Sequence, residues 1–129
     1  MELKEVIQQV KVFHEAFGIE NNTQPSLLDE SGAVLRYNLM KEENEEYLEA
    51  AKKGDIVEIA DALGDQLYIL CGTLLRHGLQ DKIEAVFLEI QRSNLSKLDA
   101  NGNPIFREDG KVLKSDQYFR PNIQQFFDR

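Results

Sequence analysis

The chain has 129 residues, of which 42% are hydrophobic and 29% are charged, a composition that supports a folded domain with its own core. Acidic residues number 23 and basic residues 15, so the formal net charge is −8 at pH 7. A surface this acidic repels phosphate backbones and anionic lipid headgroups. We therefore expect neither a nucleic-acid polymer nor a membrane among the partners.

The chain carries no sign of an oxidising compartment or of a membrane. Cys71 is the single cysteine, so no disulfide can form within the chain. The longest nearly apolar stretch, residues 67–75, is far shorter than the ~20 residues that a spanning helix needs. Residues 1–5 are polar and charged, unlike a secretion signal. These features predict a cytoplasmic protein.

Apolar residues recur at intervals of three and four in four segments, the spacing of amphipathic helices. The predicted helices cover about residues 3–17, 31–53, 56–76 and 80–95. Gly18, Gly54 and Gly78 follow the first three as stop signals, and Asp55 is the predicted N-cap of the third helix.

The pattern changes after residue 95. A turn cluster at residues 99–104 precedes a segment, 105–113, that predicts two short strands around an Asp109-Gly110 turn. The predicted fold class is all-α, a four-to-five-helix bundle with a short C-terminal β-hairpin-like appendage. We expect a single domain over residues 1–129, with a helical core at about 1–97 and an irregular segment at 98–129.

Acidic residues are concentrated on the second and third predicted helices. The second helix carries Glu42, Glu43, Glu45, Glu46 and Glu49. On the third helix, Glu58, Asp61 and Asp65 follow the spacing i, i+3, i+7, which places them on one stripe. Stacked like charges cost a few tenths of a kcal/mol per pair on an isolated helix, and a divalent cation would offset that cost.

A solvated helix face is the ordinary explanation for a glutamate-rich segment, but the third helix favours a metal site. Asp61 and Asp65 are poor helix formers among core-type residues, and buried carboxylates need a partner or a metal. The tight turn at Gly54 would make the two acidic helices antiparallel neighbours. An all-oxygen cluster suits Mg²⁺, or Mn²⁺, better than zinc or copper. No Glu-x-x-His pair is present, which excludes a bundle di-iron centre.

The acidic residues also carry a family resemblance. The run Glu42-Glu43-x-x-Glu46, with Glu58-x-x-Asp61 and Gly64-Asp65-x-Leu67-Tyr68, resembles the all-α NTP pyrophosphatases, which include MazG-like proteins and phosphoribosyl-ATP pyrophosphohydrolases. Asn94-x-x-Lys97 and the later residues Gly102 to Pro121 are similar to the phosphoribosyl-ATP pyrophosphohydrolase-like branch. The resemblance covers about residues 35–121.

The resemblance implies an enzyme that hydrolyses a nucleoside triphosphate between its α and β phosphates, giving a monophosphate and pyrophosphate. It implies Mg²⁺ bound by carboxylates of the two helices: Glu43, Glu46, Glu58, Asp61 and Asp65. Either Glu58 and Asp61 form the second acidic pair, or Asp61 and Asp65 share that task; Asp61 is favoured in both. Glu43 or Glu42 is the expected proton acceptor.

The same resemblance assigns the contacts to substrate and the assembly. Asn94 and Lys97 are expected to contact phosphate or base, and Arg107, Lys111 and Lys114 to close over the phosphates. The substrate would be dUTP-like or a non-standard nucleotide, and the assembly a homodimer or homotetramer. The alternatives are a catalytically inactive nucleotide- or metal-binding module and a purely structural helical protein.

Overall fold

The computed structural model describes residues 1–127. These residues form four α-helices, two short strands and one 3₁₀ helix: α1 (Leu3–Ala16), α2 (Glu30–Lys53), α3 (Ile56–His77), α4 (Ile83–Leu95), β1 (Ile105–Phe106), β2 (Val112–Leu113) and a 3₁₀ helix at Ile123–Phe126. The prediction of an all-α fold with a short C-terminal hairpin is confirmed. Within residues 1–127, no helix combines the length and apolarity that crossing a membrane requires.

The chain divides into two compact units, Met1–Asp81 and a second that begins at Lys82. In the first unit, α3 packs against both α1 and α2. The Asp29 carboxylate caps α2 by accepting the Gly32 N–H at 2.7 Å, and the Asp55 carboxylate caps α3 by accepting the Val57 N–H at 3.0 Å. Between the caps, Gly54 ends α2 with a left-handed φ of 71°. The tight turn makes α2 and α3 neighbours, as the sequence predicts.

The core of the first unit is small and centred on α3. Its buried apolar residues are Ile7, Val10, Ala50, Ala62, Cys71, Leu74 and Leu75. Burial raises the pKa of the Cys71 thiol, which therefore remains an unreactive part of the core.

A buried arginine joins α2 to α3. Arg36 is only 6% exposed, and it donates from Nε to Thr73 Oγ1 at 3.0 Å and from Nη2 to the Ile69 carbonyl at 2.9 Å. Gly72 makes room for it, because a Cβ at that position would lie 2.6 Å from Arg36 Nη2. These bonds fix the register of α2 against α3. They therefore determine which residues further along the two helices lie opposite one another.

The α1–α2 connection is held against the end of α3. The Asn22 N–H donates to the Leu75 carbonyl at 2.9 Å, and the Ser26 N–H donates to the His77 carbonyl at 2.8 Å. Gln80 Nε2 donates to the Asn22 carbonyl at 2.9 Å. Residues 80–82 form a turn here, so α4 begins at Ile83 and not near residue 80 as the periodicity predicts.

In the second unit, the predicted hairpin pairs Ile105 with Leu113 and Phe106 with Val112 in an antiparallel register. The segment that follows the hairpin docks on α4. Ser93 Oγ donates to the Phe119 carbonyl at 2.8 Å, and the buried Glu89 carboxylate accepts the Asn122 N–H at 2.7 Å. Arg92 and this N–H hold the pKa of Glu89 below its usual value.

Candidate functional site

Three carboxylates from two helices meet on the first unit. Glu43 and Glu46 lie one turn apart on α2, Asp65 lies on α3, and one oxygen of each is within 4.8 Å of the others. None of the three side chains is fully buried, so solvent and a ligand can reach them. Oxygen ligands of one Mg²⁺ lie at most about 4.2 Å apart, twice the metal–oxygen distance, so small side-chain rotations would bring the three together on one ion.

The electrostatics of this carboxylate cluster (Glu43, Glu46 and Asp65) disfavour negative charge. Burial, the hydrogen bond that protonated Glu43 would share with Glu46, and the charges of Glu46, Asp65 and Glu42 raise the pKa of Glu43 to about 7. Burial and the charges of Asp61 and Glu46 raise the pKa of Asp65 as well. Glu43 and Asp65 therefore resist ionisation until a cation compensates their charge.

One oxygen of the cluster also needs a partner. Glu43 Oε2 is buried and accepts no hydrogen bond from the described part of the chain. A buried oxygen without a donor is costly, and a bound cation would satisfy it. The donor set consists of carboxylate oxygens alone, which is the chemistry that Mg²⁺ and Mn²⁺ prefer. The residues present thus fit a hard divalent cation.

A cleft of about 230 Å³ adjoins the cluster and shares Glu46 with it. Its lining is formed by Glu46, Glu49, Ala50, Lys53, Glu58, Asp61 and Ala62. Asp61 faces this cleft and acts on Asp65 through its charge, although it is not among the three carboxylates of the cluster. The Glu58 carboxylate pairs with the Lys53 ammonium group and not with the cluster, with its Oε2 3.5 Å from Lys53 Nζ.

Glu42, Glu45 and Glu49 are not among the carboxylates that converge with Asp65. Glu42 lines a shallow groove with Glu45 and Glu49, and its charge contributes to the raised pKa of Glu43. The glutamate-rich segment therefore combines two arrangements: Glu43 and Glu46 converge with Asp65, whereas Glu45 belongs to a solvated face.

The expected substrate-binding residues all belong to the second compact unit, which begins at Lys82. Asn94 and Lys97 are one turn apart at the end of α4, where the Lys97 N–H donates to the Asn94 carbonyl at 3.2 Å. Arg107 is paired with the Asp109 carboxylate, with its Nε 3.0 Å from Oδ1. Lys114 Nζ lies 4.8 Å from the centre of the Tyr118 ring, and Lys111 is exposed in the hairpin turn.

Two features of this region were not foreseen from the sequence. Gln66 Nε2 donates to Asn44 Oδ1 at 2.9 Å, a bond that ties α3 to α2 beside the carboxylate cluster. Lys53 brings a positive charge into the acidic cleft. Its spacing from Glu46, seven residues or two helical turns, was the available signal, since such residues share a helix face.

Comparison with known proteins identifies the family. The family model for phosphoribosyl-ATP pyrophosphohydrolase matches residues 10–94, a span that includes the carboxylate cluster and reaches Asn94. An uncharacterized protein of Acanthamoeba polyphaga mimivirus is 39% identical over 69 residues, which are 50% of this chain and 28% of that protein. The chain thus spans well under half the length of this relative. Since the family model covers well over half of its residues, the chain belongs to the phosphoribosyl-ATP pyrophosphohydrolase family, whose fold serves pyrophosphohydrolysis.

Proposed function

We propose that this protein is a divalent-metal-dependent nucleoside triphosphate pyrophosphohydrolase of the cytoplasm. It cleaves the anhydride bond between the α and β phosphates and releases a nucleoside monophosphate and pyrophosphate. The observation that carries the proposal is the convergence of Glu43, Glu46 and Asp65 from two helices, together with the buried Glu43 Oε2, for which residues 1–127 supply no hydrogen-bond partner.

In this proposal Glu43, Glu46 and Asp65 bind Mg²⁺, which Mn²⁺ can replace, and Asp61 supports them from the adjoining cleft. A bound ion of this kind neutralises phosphate oxygens and lowers the pKa of a coordinated water. The chain itself supplies the rigid placement of the ligands, because the Arg36 and Gln66 hydrogen bonds fix the register of the two helices.

A proton acceptor is also available. In the metal-free protein the surroundings of Glu43 raise its pKa to about 7, a value that suits proton transfer at neutral pH, and a cation bound to Glu43 would lower it. Where Glu43 binds the ion, Glu42 is the remaining carboxylate of the pair that can take the proton.

The proposed substrate is a dUTP-like or non-standard nucleotide, which would make the protein a nucleotide-pool enzyme. Asn94 and Lys97 are the proposed contacts to phosphate or base, with Arg107, Lys111 and Lys114 as additional phosphate contacts. Engagement of Arg107 would require exchange of its Asp109 partner for phosphate.

We also propose a homodimer or homotetramer. Leu63, Leu67 and Leu70 follow one stripe of α3 and are each 45–49% exposed. An apolar stripe of this kind marks an interaction surface.

A nucleotide panel with detection of released pyrophosphate tests the function. We expect Mg²⁺-dependent release from at least one nucleotide, and a loss of at least about 100-fold in kcat for Asp65→Asn. Glu45→Gln is the matched control, because Glu45 lies on the same helix outside the cluster. Nucleotide binding without turnover by the wild type would favour the inactive binding module. Equal activity of Asp65→Asn and the wild type would remove the carboxylate cluster from the reaction.

A further inference from the structure

The acidic cleft contains one positive side chain whose role is unassigned. Among the described residues that line it, four carry carboxylates and Lys53 alone carries a cation. Lys53 is the last residue of α2, and Gly54 and Asp55 form the turn into α3. The turn fixes the backbone of Lys53 at the edge of the cleft and leaves its long side chain 65% exposed.

The partner of Lys53 in this structure holds it only weakly. The distance from Lys53 Nζ to Glu58 Oε2 is 3.5 Å, and the two side chains are 65% and 50% exposed. Exposed ion pairs of this kind contribute little to stability, because water screens the charges and ordering two long side chains costs entropy. Lys53 can therefore exchange Glu58 for a more highly charged anion at low cost.

We propose that Lys53 binds the pyrophosphate end of the substrate, and that Glu58 is its partner in the ligand-free protein and not a metal ligand. The inference rests on the proposed function and assigns one more substrate contact to the same site. The cleft shares Glu46 with the carboxylate cluster and has Lys53 on its wall, so a chain of phosphates that extends from an ion at the cluster into the cleft would meet this lysine. A lysine ammonium is a compact charge that suits phosphate, and the leaving pyrophosphate gains negative charge as the anhydride bond breaks.

The first test measures binding of inorganic pyrophosphate in the presence of Mg²⁺ by titration calorimetry. Lys53→Met should raise the dissociation constant for pyrophosphate about tenfold. This factor corresponds to the lower end of the free energies that hydrogen bonds to charged groups contribute. Lys53→Arg should restore most of the affinity. Lys52→Met is the matched control, because Lys52 occupies the same last turn of α2 but does not line the cleft. The affinity of this variant for pyrophosphate should stay within about twofold of the wild type.

The second test distinguishes Glu58 as the partner of Lys53 from Glu58 as a metal ligand. Titration of Mg²⁺ without pyrophosphate, followed by the rise in melting temperature, should give the same Mg²⁺ affinity for Glu58→Gln and the wild type. Pyrophosphate should bind Glu58→Gln at least as tightly as the wild type, since the competing carboxylate is gone. A fall of about tenfold or more in Mg²⁺ affinity would make Glu58 a metal ligand and overturn its assignment as the partner of Lys53.

These outcomes distinguish the inference from the proposed function. Equal pyrophosphate affinity of Lys53→Met and the wild type, or no measurable pyrophosphate binding by the wild type, would overturn the role of Lys53 whatever the nucleotide panel shows. Weakened binding by Lys53→Met in a protein that hydrolyses no nucleotide would support the lysine contact and refute the enzyme.

Discussion

Replacement of Glu43 by glutamine keeps the shape of the side chain and removes a charge that its surroundings disfavour. The folded protein raises the pKa of Glu43 from 4.5 to about 7. Between these two values the folded state binds more protons than the unfolded state, so the free energy of unfolding of the metal-free wild type falls as the pH rises. Because the glutamine of Glu43→Gln has no proton to lose, the free energy of unfolding of this variant should not show this decrease.

The size of the effect follows from the two pKa values. A carboxylate that titrates at 4.5 when unfolded and near 7 when folded loses about 2 kcal/mol of stability between pH 5.5 and 8. Because the cluster is partly open to solvent, screening reduces this to about 1 kcal/mol. The stability advantage of Glu43→Gln over the wild type should therefore grow by about 1 kcal/mol over this range.

Urea unfolding in EDTA at pH 5.5 and pH 8 measures this difference, with Glu45→Gln as the control for the loss of one glutamate charge. Addition of Mg²⁺ at pH 8 should then stabilise the wild type more than Glu43→Gln, because a bound cation compensates the charge that the metal-free protein resists. A Glu43→Gln advantage that is the same at both pH values would refute the argument that the cluster disfavours ionised Glu43.

Three further predictions concern other parts of the chain. Asp65→Asn should abolish most of the Mg²⁺-dependent rise in melting temperature that the wild type shows, and an unchanged rise would place the ion elsewhere. Gly78→Ala should destabilise the protein by about 2–4 kcal/mol in urea unfolding, because Gly78 has a φ of 68° and an added Cβ would collide with the Gln24 carbonyl; a loss under about 1 kcal/mol would contradict this packing. Glu89→Gln should be less stable than the wild type at neutral pH. That deficit should shrink as the pH falls through the lowered pKa of Glu89, because the stabilising carboxylate then becomes protonated; a deficit independent of pH would argue against the bonds that the Glu89 carboxylate accepts from Arg92 and from the Asn122 N–H.

Short sequence patterns predict much of the local structure. Apolar spacing predicts the four helices, and Asp55 and Gly54 mark the α2–α3 turn because the cap and the left-handed residue act through their own neighbours. The hairpin around Gly110 follows for the same reason. The late start of α4 did not follow, because residues 80–82 are held in a turn by a bond from Gln80 to Asn22, 58 residues away.

The acidic motif similarly indicated which kind of chemistry to expect, since carboxylates at helical spacing on two adjacent helices imply a hard cation. It left open which residues converge. The sequence favoured Asp61, whereas within residues 1–127 the carboxylates that converge are Glu43, Glu46 and Asp65, and Glu58 lies beside Lys53. That choice depends on the register of α2 against α3, which Arg36 and the Asn44–Gln66 bond fix. Spacing along one helix is a local property, but the height at which two helices meet is set by contacts between residues far apart in the chain, and only the folded structure contains them.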